Sequence, residues 1–207
     1  MISSPTPQNI NKAAHIIKNG GLIAYPTETV YGLGADPHNV DAIAKIFSTK
    51  GREENKGIIL LIRDQSDLPT LVETVTPTAQ TLIDAFWPGP LTLIFKALPS
   101  LPSALTGGLD TIALRHSSSP ITTQLLNALR TPITSTSANR SGTPPCTSAH
   151  DVQNTLGDHL DFILDGGTSP DTLPSTLVDV STNQAILLRE GALPLQSLTQ
   201  YLPIQKK

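Results

Sequence analysis

Residues 20–37 read GGLIAYPTETVYGLGADP and contain the change of pattern that decides the fold. The run at residues 22–25 is apolar and stops at Pro26, which is typical of a short buried strand. A second apolar run, residues 58–62, contains no polar residue, as expected of a strand covered on both faces. Residues 40–47 between them have helical periodicity. This succession of strand, helix and strand predicts an α/β fold.

The same alternation continues on either side of this stretch. Thr6 as a cap and Pro7 in the first turn predict a helix that stops at Gly20. Further helices are predicted at residues 79–86, 121–129 and 195–202. Further strands are predicted at residues 91–95, 111–115, 133–135, 162–164, 176–180 and 185–188, and an exposed loop at 141–148. Since no repeat or composition break divides the chain, we predict one domain over residues 1–207.

Composition limits the classes of protein to be considered. Hydrophobic residues make up 38% and charged residues 15% of the 207, as in globular proteins, and the 18 prolines predict many rigid turns. The single cysteine, Cys146, excludes an internal disulfide framework and fits a reducing compartment. Neither a signal peptide nor a long apolar run is present, so we predict a soluble cytoplasmic protein without a membrane segment. The net charge of −3 offers no general attraction to polyanions.

The common catalytic templates do not match. The sequence contains no GxxxxGK[ST] loop, no GxGxxG after a strand, no GxSxG and no HExxH. The five histidines are scattered without ligand spacing, so no protein metal site is predicted. Cys146 follows two prolines without a visible partner base, which favours an ordinary loop thiol over a nucleophile.

Three polar clusters remain, and each has two interpretations. Residues 25–34 carry hydroxyls, a carboxylate and glycines after a buried strand, which suits either a capped turn or a ligand site at a strand end. Lys50 and Arg52, followed by Glu53 and Glu54, suit either a solvated helix end or a cationic site. Residues 135–139, Ser-Thr-Ser-Ala-Asn, suit either a plain turn or a cradle for phosphate or carboxylate oxygens.

Taken together, these clusters are far more specific than they are singly. One family has three of these motifs in the same order: YPTETVYGLG, the K-x-R of KGR and the S-x-N of STSAN. The same family has counterparts of four further stretches, FWPGPLTLIF, LTGGLDTIALR, PSTLVDV and AILLREG. The chain resembles the YrdC family, and in particular its short bacterial members of the TsaC type. The resemblance implies a single α/β domain with a twisted mixed sheet flanked by helices and a concave, electropositive cavity. Longer relatives add a C-terminal domain, which this chain is expected to lack.

The resemblance also implies an enzyme, a threonylcarbamoyl-AMP synthase. Such an enzyme condenses L-threonine with bicarbonate or CO2 and uses the carbamate to attack the α-phosphorus of ATP, releasing pyrophosphate. Mg²⁺ is expected with the ATP. The product is expected to pass to a threonylcarbamoyl transferase complex that modifies tRNA, so that contact with tRNA is indirect.

The family motifs assign roles to nine residues. By resemblance, Lys50 and Arg52 are the catalytic pair and contact ATP phosphates and the carbamate. The resemblance implies that ATP is also bound by Ser137, Asn139 and Arg189. Threonine is expected to contact Thr27, Arg115, Ser175 and Thr176.

The chain departs from the commonest family pattern at two positions. Leu61 stands where many members have a histidine, which removes any threonine contact by that group. Thr136 replaces the proline of the usual PSAN, without changing the expected role of Ser137.

Two alternatives to this enzyme were weighed. A protein that binds double-stranded RNA or a ribosomal precursor would need clustered basic residues and stacking aromatics, but only 14 of 207 residues are basic and 4% are aromatic. A carbamoyl transferase of the maturation type would carry zinc-finger-like cysteines, and Cys146 is the only cysteine.

Overall fold

The computed structural model describes residues 2–52, 56–170 and 172–207. The helices within these ranges are α1 Pro7–Lys18, α2 Val40–Lys50, α3 Pro77–Phe86, α4 Ser103–Thr106, α5 Pro120–Leu129, α6 Ala149–Leu156 and α7 Leu195–Leu198. The strands are β1 Ile2–Ser3, β2 Ile23–Tyr25, β3 Gly32–Gly34, β4 Ile59–Leu61, β5 Leu91–Lys96, β6 Thr111–Arg115, β7 Ile133–Thr134, β8 Thr136–Ser137, β9 Phe162–Leu164, β10 Thr176–Asp179, β11 Ala185–Arg189 and β12 Ile204–Lys206. Short 3-10 helices span Gln65–Thr70 and Gly157–His159.

The strands form two mixed sheets. A five-stranded sheet has the order β1-β9-β2-β3-β8, and a seven-stranded sheet has the order β12-β11-β10-β5-β6-β4-β7. Each sheet combines parallel pairs, such as β2 with β9 and β4 with β6, with antiparallel pairs, such as β2 with β3 and β5 with β6. The mixed α/β class is therefore confirmed, with the strands divided between two sheets instead of the expected one.

One hydrophobic core joins the two sheets. Leu22 and Leu33 from the first sheet region and Leu60, Leu93 and Leu114 from the second belong to the same buried cluster, and each is completely buried. A smaller cluster packs α1 and α5 against the other face of β2 and β9. The two sheets are thus held at a fixed separation by shared apolar contacts.

The strands and helices that the sequence did not predict are short or polar. β3 consists of Gly-Leu-Gly and β8 of Thr-Ser, and neither has the alternation or β-branched content of a strand. They exist because β3 pairs with β2 on one side and with β8 on the other. α6 was missed within a polar segment, and α7 ends at Leu198, earlier than predicted.

Local backbone chemistry places the K-x-R segment. Gly51 has φ of +59°, a left-handed conformation that glycine adopts at little cost, and it caps the C-terminus of α2. The N–H of Arg52 then donates to Phe47 O at 3.0 Å, so the chain turns sharply after Lys50. Glu53 and Glu54, which the sequence grouped with these cations, lie outside the described residues.

In the described part of the chain, no helix has both the length and the apolar character needed to cross a membrane.

Candidate active site

A cavity of about 280 Å³ lies where the two sheets meet. The first sheet and its loops contribute Thr27, residues 29–32 and β8. The second sheet contributes Ile59, Ala113 and Ile94, which lie side by side in register on β4, β6 and β5. These apolar side chains form a floor, whereas the polar groups come from strand ends and loops, the arrangement typical of small-molecule sites.

Arginine supplies the charge of this cavity. Arg52, Arg115 and Arg189 line it, and among the described lining residues no carboxylate is present. Guanidinium groups present several N–H donors in a fixed plane and bind phosphate and carboxylate oxygens well. The cavity is therefore suited to an anionic ligand.

Arg115 is held rigidly by groups around it. It is only 5% exposed, Nε donates to Gly89 O at 3.2 Å and Nη1 donates to Thr29 Oγ1 at 3.0 Å. Nη2 lies 2.7 Å from Glu28 Oε1, a charge contact in which Nη2 has no aligned hydrogen-bond partner among the described residues. Contacts at all three guanidinium nitrogens therefore hold Arg115 in place at the cavity wall.

Glu28 is the counter-ion of Arg115. Ser117 Oγ and the Ser118 N–H, the latter at 3.2 Å, both donate to its carboxylate. Burial by itself would raise the pKa of Glu28, but the charge of Arg115 and the donated hydrogen bonds outweigh burial and lower that pKa. Glu28 is therefore ionised at neutral pH.

The Thr27 hydroxyl takes part in a local network. Its Oγ1 donates to Val30 O at 2.7 Å and lies 3.0 Å from Thr29 Oγ1. Because a hydroxyl has one proton, Thr29 donates to Thr27 and accepts from Arg115. The PTET segment consequently fixes one side of the Arg115 guanidinium and lines the cavity with Thr27 and Thr29.

Arg52 and Arg189 are more accessible than Arg115. Arg52 is partly exposed, and its Nη2 donates to Gly57 O at 3.0 Å. Arg189 is exposed on β11 and donates to Ser175 O at 2.7 Å. Partial desolvation of the guanidinium by the cavity wall lowers the pKa of both groups, and the charge of Arg115 lowers the pKa of Arg189 further. The repulsion between Arg115 and Arg189 is relieved by an anion between them.

Ser175 and Thr176 have different surroundings. Ser175 lines the cavity and its Oγ lies 2.7 Å from Thr92 Oγ1. Thr176 is completely buried, and its hydroxyl donates to Leu193 O and accepts from the Gly191 and Leu193 N–H groups. Thr176 thus closes the turn after β11 and lies outside the cavity lining.

Lys50 lies behind the wall of the cavity. Its ammonium donates to Ser137 O, to Asn139 O at 2.9 Å and to Asn139 Oδ1 at 3.0 Å, and the residue is 4% exposed. Burial and the nearby charge of Arg52 lower the pKa of Lys50 to about 8. The interpretation of Lys50 as a solvated helix end is wrong, because this side chain points into the protein.

The structure brings most of the predicted residues to one place. Six line the cavity, namely Thr27, Arg52, Arg115, Ser137, Ser175 and Arg189. Lys50, Asn139 and Thr176 lie just behind its lining residues, and their direct contact with substrate stays a prediction. Glu28 and Thr29 were missed as partners of Arg115, although both belong to the PTET motif.

Leu61 occupies the register position opposite Arg115 on β4. It is completely buried and packs in the cluster that contains Tyr25 and Ile133. The Leu61 side chain has no hydrogen-bonding group, so it cannot make the hydrogen bond that a histidine would make. Cys146, expected in an exposed loop, is instead buried, and burial raises the pKa of its thiol.

Comparison with known proteins assigns the family. The model of the Sua5/YciO/YrdC family, described as "Telomere recombination", matches residues 15–191. The chain belongs to the Sua5/YciO/YrdC family. Among its members, a threonylcarbamoyl-AMP synthase of Vibrio parahaemolyticus is 40% identical over 185 residues, which cover 88% of this chain and 99% of that protein. The enzyme of the same name from Pyrococcus abyssi is 39% identical over 193 residues, 93% of this chain but 57% of that longer protein.

Solved structures of Sua5/YciO/YrdC proteins have the same fold. P. abyssi Sua5 complexed with L-threonine matches with a TM-score of 0.92 and 36% identity, over 99% of this chain and 61% of that one. E. coli YciO matches with a TM-score of 0.85 and 29% identity, over 96% and 97% of the two chains. The match to YciO shows that the two-sheet architecture recurs in a relative of similar length.

Proposed function

We propose that this protein is an L-threonylcarbamoyladenylate synthase, a nucleotidyltransferase that uses L-threonine, bicarbonate or CO2, and ATP. The observation that carries the proposal is the arginine-lined cavity, which lies in a fold that matches Sua5 complexed with L-threonine. The names of relatives at 37–40% identity support the same activity. Nothing in the comparisons favours the alternative, a double-stranded RNA or ribosomal-precursor binding protein.

The reaction needs a protein that orients the two substrates and neutralises the charge on the phosphates, more than one that forms a covalent intermediate. The threonine amine and CO2 form a carbamate, whose oxygen bonds to the α-phosphorus of ATP while the bond to the β-phosphate oxygen breaks and pyrophosphate leaves. Negative charge builds on the phosphates in this step, and preorganised cations stabilise it. The cavity offers Arg52 and Arg189 for this purpose, and no nucleophilic triad is required.

Eight of the nine residues assigned from the family motifs have a place in this proposal. Arg52 and Arg189 bind the phosphates, and Ser137, supported by Asn139, orients the nucleotide. Arg115, which lines the cavity, binds the threonine carboxylate next to Thr27 and Ser175. Thr176 supports Ser175 from behind the wall.

Magnesium fits this site as a companion of ATP. Within the described residues no group of three His, Cys, Asp or Glu side chains could hold a metal ion, and the described cavity lining supplies hydroxyls and guanidiniums. Phosphate oxygens of the nucleotide are therefore the ligands that Mg²⁺ would use here. When bound, it would reduce the charge that Arg52 and Arg189 must neutralise.

The proposed product needs a second protein that consumes it. A mixed anhydride of a carbamate and AMP is a reactive acyl donor, so its consumer is expected to be a threonylcarbamoyl transferase complex that acts on tRNA. The present protein would meet tRNA only indirectly, consistent with its net charge of −3. A cytoplasmic location is part of the same proposal.

Pyrophosphate should appear only when ATP, bicarbonate and L-threonine are all present, because no carbamate forms without the amine. The assay is pyrophosphate release by the purified protein with Mg²⁺, with each component omitted in turn and with serine or valine in place of threonine. Release at an equal rate without threonine would identify a simple ATP pyrophosphatase and refute the proposed function.

A further inference from the structure

The ammonium of Lys50 has no N–H group left for a substrate. An ammonium carries three N–H groups, and Lys50 directs them to Ser137 O, Asn139 O and Asn139 Oδ1. Lys50 does not line the cavity, whereas Arg52, two residues further on, does. The two cations of the K-x-R segment therefore face different environments.

The turn that Lys50 holds determines how one cavity residue is oriented. Ser137 Oγ donates to Asn139 Oδ1 at 2.6 Å, and this same oxygen accepts from Lys50. The amide nitrogen of Asn139 donates to Arg140 O at 2.9 Å and to Thr143 O at 2.6 Å, which fixes the amide plane. The Ser137 hydroxyl thus donates its one proton to Asn139, and toward a ligand it can only accept a hydrogen bond.

The backbone links the same segments a second time. The N–H of Ser141 donates to Lys50 O at 2.7 Å, so the end of α2 and the segment after the turn are joined through both the main chain and the side chain of Lys50. A buried ammonium is stable only where oxygen atoms replace its water, and the turn supplies three of them. Removing the ammonium would leave these oxygens without their donor.

We propose that Lys50 is a positioning residue, which orients Ser137 through Asn139 and does not bind the phosphates of ATP. The kinetic part of this proposal rests on the function proposed above, because its assay needs the substrates. The effect of Lys50 on the turn can be measured without any substrate. The two cations of the K-x-R segment then have different roles: Arg52 binds the ligand, and Lys50 stabilises the turn that forms the adjacent part of the cavity wall.

Hydrogen exchange in the unliganded protein tests the structural part. We expect the amides of residues 137–143 to exchange at least about tenfold faster in Lys50→Met than in the parent, because the turn loses three donated hydrogen bonds. Lys45→Met is the matched control, since Lys45 also lies on α2 and donates to a backbone carbonyl, Gly20 O, at 2.8 Å. Exchange of residues 137–143 should be parent-like in Lys45→Met.

Steady-state kinetics of the same proteins test the functional part. A displaced Ser137 should raise the KM for ATP about tenfold in Lys50→Met and leave the KM for threonine within about twofold of the parent. Lys50→Arg should behave like Lys50→Met, because a planar guanidinium cannot donate to the three oxygens that surround a compact ammonium. If Lys50→Met fails to fold, Lys50→Arg is compared with the parent in its place.

Three outcomes would overturn the assignment. Parent-like exchange together with a raised KM for ATP, or full activity of Lys50→Arg, would show direct contact with phosphate. Faster exchange with unchanged kinetics would show that Lys50 supports the turn without affecting the site. A parent protein without threonine-dependent activity would refute the proposed function instead and leave the exchange result to decide whether Lys50 orders the turn.

Discussion

Replacing Arg52 with alanine should lower threonine-dependent pyrophosphate release about 10- to 150-fold in kcat/KM. Arg52 lines the cavity, where Nη2 donates to Gly57 O at 3.0 Å and Nη1 to Thr136 Oγ1 at 3.4 Å, and these bonds hold its charge where phosphate oxygens would meet it. Loss of one charge-assisted hydrogen bond costs about 1.5–3 kcal/mol, which corresponds to this range of rates. The measurement is release of pyrophosphate at varied ATP by folded protein with the parent melting temperature.

Arg140→Ala provides the matched control for Arg52→Ala. Arg140 has the same charge and is exposed in the segment after the Ser137 turn, where it lies outside the cavity lining. Its removal should change kcat/KM by less than about twofold, as for an ordinary surface substitution. Equal losses in the two variants would mean that overall charge, and not phosphate contact by Arg52, determines the rate.

Replacing Arg115 with methionine should produce the largest loss of stability among these variants. Breaking a buried ion pair by removing one partner typically costs about 3–5 kcal/mol, because the remaining charge is left uncompensated. Here Glu28 keeps its Ser117 and Ser118 donors and is 15% exposed at its side chain, so the lower end of that range is expected. The KM for threonine should rise by at least about tenfold, since the carboxylate loses its guanidinium.

The pH dependence of unfolding separates the two effects of Arg115→Met. In the parent, the charge of Arg115 holds the pKa of Glu28 below its ordinary value of 4.5, so its stabilising contribution is present above that value and is lost as the pH falls through the folded pKa. Without Arg115, burial dominates and raises the pKa of Glu28 above its ordinary value, so the ionised carboxylate destabilises Arg115→Met at neutral pH and this cost disappears as the pH falls through the raised pKa. In urea unfolding, the difference in stability between the parent and Arg115→Met should therefore shrink as the pH falls. The double variant Glu28→Gln/Arg115→Met should recover part of the stability but not the affinity for threonine. A difference in stability between the parent and Arg115→Met that does not change with pH would contradict the ion pair.

The sequence predicted those parts of the fold that carry a local signal. Strands 91–95 and 111–115 and the helix capped by Thr6 follow from apolar runs, periodicity and cap chemistry, and the structure contains all of them. β3 and β8 carry no such signal, because glycine, threonine and serine do not favour a strand by themselves. Their pairing is imposed by neighbouring strands, and the division into two sheets depends on such long-range pairs.

The candidate site was predictable as a set of residues but not as an arrangement. Motifs identified the cavity residues, yet they could not tell that Arg52 faces the cavity while Lys50 faces a turn. That distinction depends on the left-handed Gly51 and on the side chains across the fold that meet each cation. Glu28 was visible only as one carboxylate in a polar stretch, because its partner Arg115 lies far along the chain.

The cavity between the two sheets has a consequence for the newly synthesised chain. Its walls come from segments as far apart as Thr27 and Arg189, and the chain passes back and forth between the sheets before β11 is made. Since synthesis proceeds from the N-terminus, a ribosome-bound chain has no complete arginine set until Arg189 has emerged. Substrate therefore cannot guide the early stages of folding, and the apolar core has to bring the two sheets together before any ligand can hold them there.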